Sequence, residues 1–375
     1  GPRGEDDLMR ITELKLGTLS IPLKKPFKTA LRSTDVVTTN VVALVTDMGA
    51  VGYGEAPPTA AITGDTDGSI ACTLVTRIAP ALVGRDVAEL HDALTAIERS
   101  AVGNTSAKAA ADIALHDLWG KLCGQPLYRL WGGTKRTFAT DYTISLNAPD
   151  EMARDAAEAV RDGYDALKIK VGVDFRLDME RIGAVRREVG PGVLLRVDAN
   201  QGWTPKEAIR IIRHMEDEGL DIELVEQPVA RHDVEGLKRV TDAVDTIILA
   251  DESVCSPRDA MRLIAMRAAD MLNIKLMKSG GLSGALRICA MAESAGMECM
   301  IGAMMESKVS VTAAAHLATA RRVVTKYDLD PPILCASDPV KGGVRYDGAV
   351  LSLTDAPGLG IDAVEGVDWK ESVKG

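Results

Sequence analysis

Six charged side chains stand where apolar segments end or are interrupted: Lys168 and Lys170 in one, then Asp198, Glu226, Asp251 and Lys275 in four that follow. Intervals of 28, 25 and 24 residues separate Asp198, Glu226, Asp251 and Lys275, close to one strand-helix unit each. A single acid at such a place reads equally well as a helix cap or a salt-bridge partner. Three in consecutive units form a set. Carboxylates brought together repel one another unless a proton or a metal ion relieves them. The donors are all oxygen, with no His or Cys among them, so the metal expected is a hard dication, Mg²⁺, with Mn²⁺ as a substitute. Lys168 and Lys170 alternate with Leu167, Ile169 and Val171, which puts both amines on one face and the apolar residues on the other. An ammonium beside a dication and a second ammonium is disfavoured, which brings a lysine into range for general-base work.

The elements that must position these groups recur through the chain. After Thr134 a short apolar strand, a charged amphipathic helix and a Gly-marked turn repeat, with strands at 166–171, 193–197, 222–225, 247–250, 271–276, 297–302 and 323–327. One helix is marked at both ends, by Thr204 as N-cap, Pro205 at the first turn, Glu207 closing a capping box and Gly219 beyond the last turn. Seven or eight such units indicate a parallel barrel, whose strands' carboxyl ends gather on one face. Residues 11–55 read instead as antiparallel strands, with Leu19, Ile21 and Leu23 alternating, and residues 70–118 as helices ending in the Ala-rich stretch 107–119. The division expected is an α+β domain over 1–133, the barrel over 134–335, and a C-terminal segment over 336–375 that returns to the first domain, its Gly-rich part 341–360 packing back on it.

Composition narrows the partner. Of 375 residues 46% are hydrophobic, 26% charged and 3% aromatic, and the formal charge is -10, which disfavours nucleic-acid and anionic-membrane surfaces. A small molecule is expected. The six cysteines are scattered without a CxxC pair, which suits a reducing cytoplasm. No apolar run reaches the length of a membrane span, and the acidic start Gly1–Asp7 lacks the features of a signal peptide and reads as a tail.

The ordered set Lys168-Ile-Lys170, Asp198-Ala-Asn200, Glu226-Gln-Pro228, Asp251-Glu252 and Lys275-Leu-Met-Lys278-Ser-Gly-Gly281 resembles the muconate-lactonizing subgroup of the enolase superfamily. Leu130-Trp-Gly-Gly133, Met304-Met-Glu-Ser307 and Pro357-Gly-Leu-Gly360 extend the resemblance over nearly the whole chain. It implies a (β/α)7β modified TIM barrel under an α+β capping domain, with Mg²⁺ on Asp198, Glu226 and Asp251. It further implies acid/base lysines Lys170 and Lys275 on opposite faces of the substrate, with Lys168 in support. Such a pair suits racemisation or epimerisation beside a carboxylate. Asn200 and Glu306 fall near the same face and are given no catalytic role.

The segment Tyr327-Asp328-Leu-Asp330-Pro331 is similar to the D-x-D of dipeptide epimerases, where two aspartates meet the α-ammonium of a dipeptide. The loop Phe27-Lys-Thr-Ala-Leu-Arg32-Ser-Thr34 resembles the specificity lid of the Ala-Glu epimerases, which implies that Arg32 reads a glutamate side chain. Expected is therefore interconversion of L-Ala-D-Glu and L-Ala-L-Glu by a homo-oligomer in cell-wall peptide reuse. The alternatives within the subgroup are o-succinylbenzoate synthase, N-acylamino acid racemase and muconate cycloisomerase, whose substrates give Asp328 and Asp330 no ammonium to bind.

Overall fold

A computed structural model describes residues 8–375; the Gly1–Asp7 segment, read above as a tail, lies outside the described residues. Eight parallel strands follow one another round a single sheet in sequence order: Tyr142–Ile144, Ala166–Lys170, Leu194–Asp198, Ile222–Glu226, Ile247–Ala250, Met271–Ile274, Cys299–Gly302 and Val324–Asp328. They are referred to below as the first to eighth barrel strands. The Asp141 amide donates to the Tyr327 carbonyl at 3.1 Å, joining the last strand to the first. Helices at Pro149–Arg161, Phe175–Val189, Pro205–Asp217, Val234–Thr241, Pro257–Met266, Leu282–Ala295 and Lys308–Ala320 fill the seven crossovers, and only the short turn Pro331–Leu334 follows the eighth strand. The architecture is (β/α)7β.

Local sequence accounts for these elements. In Pro205–Asp217 the buried residues Ala208, Ile211, Ile212 and Met215 keep the spacing of one helix face, and Thr204 and Glu207 close the capping box at its start. In the second strand Leu167 and Ile169 face the helices, fully buried, while Lys168 and Lys170 face the barrel interior.

The capping domain is a four-stranded antiparallel sheet backed by helices. Ile11–Lys28 pairs with Ser33–Thr46, which pairs with Val51–Ala56. The Ala-rich helix Thr105–Leu122 crosses this sheet so closely that a Cβ on Gly52 or Gly54 would strike the carbonyl of Ala114 or Ala110. Small residues on both sides permit that approach.

One expectation is revised. The Gly-rich segment 341–360 does not pack wholly on the capping domain. Its hairpin Arg345–Asp347 and Val350–Ser352 pairs with Phe138–Ala139, just ahead of the barrel, while Gly358 and Leu359 reach Gln125 and Asp117 of the first domain. The strand that joins the capping sheet is Asp368–Lys374, paired with Glu13–Thr18. Its exposed, charged residues carry little of the alternation by which a strand is read from sequence. Among the described residues no helix is long and apolar enough to cross a membrane.

Candidate active site

All six charged groups of the spacing argument meet at the carboxyl ends of the barrel strands, and all are buried. Register places Lys170 beside Asp198 and Asp198 beside Glu226 on adjacent strands. Asp251 follows the last residue of the fifth strand and Lys275 that of the sixth. The second and sixth strands stand on opposite sides of an eight-stranded ring, so Lys170 and Lys275 enter the interior from opposite sides.

The groups are paired densely. Lys168 Nζ lies 2.8 Å from Glu226, 2.7 Å from Asp328 and 3.2 Å from Asp198. Lys170 Nζ lies 2.6 Å from Asp198 and Lys275 Nζ 2.6 Å from Asp251. Burial pushes the Asp198 carboxyl up, but Lys170 and Lys168 outweigh it and leave it below its usual value. At Asp251 burial is again opposed and outweighed, by Lys275 and Lys278. Glu226 goes the other way, to about 7, through burial and then the repulsion of Asp198.

Lys275 and Lys168 answer to the same acids. Burial lowers Lys275, yet Asp251 and the acids around it outweigh burial and the other ammonium, so the net direction is upward. Lys168 is raised well above its ordinary value in the same way, by Asp328, Glu226 and Asp198. For these two lysines the surrounding acids outweigh burial.

The residues fit a dication. Every donor offered by Asp198, Glu226 and Asp251 is a carboxylate oxygen, and two further buried oxygens nearby, Asn273 Oδ1 and Glu252 Oε2, have no hydrogen-bond partner among the described residues. Asn273 itself donates to Glu226 Oε1 at 2.8 Å, and burial with the Asp251 charge pushes Glu252 up to about 8. Among the described residues the acids whose oxygens close within 4.8 Å of one another are a different set, Asp141, Asp328 and Asp330, whereas Asp198, Glu226 and Asp251 do not reach that spacing.

Above these groups lies a cavity of about 560 Å³, counted out to its solvent-open mouth. Lys168, Lys170 and Lys275 line it together with Asp328, Asp330 and Arg32. Arg32 comes from the lid between the first two capping strands, where the Thr29 amide donates to the Arg32 carbonyl at 2.9 Å. The Leu146 amide holds the Lys28 carbonyl at 2.9 Å, which docks the lid on the barrel. Burial lowers the Arg32 pKa, and among the described residues no acid opposes it. Asp330 accepts from the Thr143 amide at 2.7 Å, and burial and then Asp328 push it up to about 7. Asp328 sits at about 2, because Lys168 and Lys275 outweigh its burial.

Comparison with known proteins places this arrangement. Residues 11–132 match the mandelate racemase / muconate lactonizing enzyme N-terminal domain, and residues 151–367 match the enolase C-terminal domain-like family. The chain belongs to the mandelate racemase/muconate lactonizing enzyme family of the enolase superfamily. It is 54% identical to an L-Ala-D/L-Glu epimerase of Clostridium acetobutylicum, over 95% of this chain and 99% of that protein. A substrate-liganded structure of the L-Ala-D/L-Glu epimerase from Bacillus subtilis is 50% identical with a TM-score of 0.94, covering 95% of this chain and 99% of that one. A dipeptide epimerase from Enterococcus faecalis, complexed with Mg and L-Leu-L-Tyr, is 41% identical with a TM-score of 0.91, covering 95% and 100%.

Within this family frame the structure brings together every site residue named from sequence and adds four. Lys278, on the one-turn helix Leu276–Ser279, places Nζ 2.5 Å from Asp251 Oδ1 and 3.0 Å from the Asn273 carbonyl. Asn273 and Glu252 were noted above. Asp141 holds Arg196 at 2.8 Å through Oδ2, while its buried Oδ1 has no partner among the described residues. The three-residue spacing of Lys275 and Lys278 was a legible signal for the first. Nothing local marks Asp141. Gly302, ending the seventh strand, also matters, because a Cβ there would press on Asn273 Oδ1 and Lys275 Cε.

Proposed function

We propose that the protein is an isomerase that epimerises dipeptides at the α-carbon of the C-terminal residue, with L-Ala-D/L-Glu preferred. The observation that carries this is one cavity bordered by Lys170 and Lys275 from opposite sides of the barrel and by Arg32, Asp328 and Asp330 around it. One lysine Nζ removes the α-proton and the other delivers a proton to the opposite face, so the carbon inverts. Lys168, held among Asp198, Glu226 and Asp328, supports the pair by fixing their surroundings. Mg²⁺, or Mn²⁺ in its place, held by Asp198, Glu226 and Asp251 would stabilise the charge that grows on the substrate carboxylate, and it would take over from the lysines the neutralisation of those acids.

Asp328 and Asp330 suit an ammonium. They are buried neighbours, and Asp330 is pushed to about 7 by burial and by Asp328, so an approaching cation offsets a repulsion already present. N-acylated substrates, o-succinylbenzoate precursors and muconate bring no such cation, and the 54% and 50% identical relatives are both L-Ala-D/L-Glu epimerases. Arg32, which no acid opposes among the described residues, suits a glutamate side chain.

The reading includes a capping domain over 1–133, a catalytic barrel over 134–335 and a returning segment over 336–375, supported by the matched regions 11–132 and 151–367. It also includes a cytoplasmic homo-oligomer that reuses cell-wall peptides, for which six free cysteines support a reducing compartment. The test is a dipeptide library incubated in heavy water with Mg²⁺, read by mass spectrometry. Ala-Glu should gain one deuteron at the α-carbon of its glutamate, and a protein that labels no dipeptide would overturn the reading.

A further inference from the structure

Behind the Met304–Met305 wall of the cavity, two buried acids share one hydroxyl. Glu55 comes from the third capping strand and Glu306 from the loop after the seventh barrel strand, and they are 0% and 1% exposed. Ser310 Oγ lies 2.9 Å from Glu55 Oε1 and 2.7 Å from Glu306 Oε2. A hydroxyl carries one hydrogen, so it can donate to one of these oxygens only, and the other contact needs a proton on a carboxyl.

The remaining partners identify which acid carries it. Glu55 also accepts from the Ser307 amide at 3.1 Å, the Ser307 hydroxyl at 2.8 Å and the Ser310 amide at 2.8 Å. Each of these three contacts, at the start of the helix Lys308–Ala320, already has its hydrogen on a serine, so none of them needs a proton on Glu55. Glu306 accepts one amide, that of Met304 at 3.1 Å, and among the described residues Ser310 is the hydrogen-bond partner of its Oε2. Burial, and then the charge of Glu55, push Glu306 up to about 8, with Lys275 the charged group that opposes them.

We propose that Glu306 is a neutral carboxylic acid at neutral pH, donating to Ser310 Oγ, which donates in turn to an ionised Glu55. This chain fastens the Met304–Met305 wall to the capping sheet and leaves Lys275 without an anion on that side. Glu306 and Glu55 are then positioning residues. The consequence for Lys275 rests on the proton-transfer reading above; the protonation itself does not.

Neutron diffraction from crystals of the full chain exchanged into heavy water at pH 7 tests the proton directly. A deuteron is expected on Glu306 Oε2, with the Ser310 deuteron directed at Glu55. A deuteron on Glu55, or on neither acid, would overturn the proposal, whether or not any dipeptide turns over. The wall is tested by the methyl resonances of Met304 and Met305. Glu306→Gln, which keeps a donor toward Ser310, should leave them within a linewidth of wild type, and Glu306→Leu should displace them. Equal displacement by both variants refutes the positioning role.

Discussion

Replacing Arg32 with Met removes the guanidinium from the cavity and keeps most of the side chain's apolar stem. Arg32 lines the same cavity as the lysines, and its lowered pKa has burial as its cause. A glutamate side chain that reached it would form a partly desolvated, charge-assisted pair. Truncating one partner of a buried pair costs about 2 to 5 kcal/mol. Because Arg32 is only partly buried, the lower part of that range applies, about 2 to 3 kcal/mol, or roughly a 30- to 150-fold loss in kcat/KM. The assay compares Ala-Glu, Ala-Gln, Ala-Leu and Ala-Lys in wild type and Arg32→Met. The expected outcome is a loss confined to Ala-Glu, with Ala-Leu unchanged or improved. Equal losses for all four dipeptides would show that Arg32 holds the lid, through its turn with Thr29, and does not read the substrate.

Lys170→Ala and Lys275→Ala should each abolish net epimerisation while one of them still exchanges the α-proton of one stereoisomer; wild-type epimerisation by either variant removes the two-base assignment. Asp328→Asn or Asp330→Asn should weaken dipeptides with a free amino terminus by more than about ten-fold and spare N-acetylated ones, a difference read from paired kcat/KM values. Excess chelator should stop turnover and Mg²⁺ restore it, and Asp198→Asn should lower Mg²⁺ affinity by calorimetry with its unfolding transition retained. His316 provides a pH test away from the site. It is buried, its Nδ1 meets the Tyr128 amide at 3.2 Å, and burial depresses its pKa to about 3. The unfolded chain binds this proton near pH 6.5 and the folded chain only near 3, so the contribution is present above pH 6.5 and is lost as pH falls toward 3. Wild type should therefore lose about 2 kcal/mol more stability than His316→Gln between pH 7 and 5, measured by denaturant unfolding, and parallel losses would count against it.

Much of the fold was legible because it rests on local rules. Period-two alternation put Lys168 and Lys170 on one strand face, and the buried Leu167 and Ile169 opposite them confirm that reading. The start of the helix Pro205–Asp217 follows from contacts three residues apart, and the structure has the capping box at Thr204 and Glu207. Once the repeat implied a barrel, acids at successive strand ends had to meet, whatever lay between them.

Tertiary structure decided what depends on distant elements closing on one another. That Asp368–Lys374 joins the capping sheet follows from pairing with Glu13–Thr18, hundreds of residues earlier, and its exposed side chains carry no inward pattern. The upward shift of Lys275 could not be read from its neighbours in sequence, because Asp251 and the other acids that outweigh its burial arrive from other strands. The unpartnered Asp141 Oδ1, the Asn273 contact to Glu226 and the hydroxyl that Glu55 and Glu306 share are of the same kind. A charge or proton location is set by the sum of burial and all nearby charges, and that sum exists only after the barrel and its cap have closed.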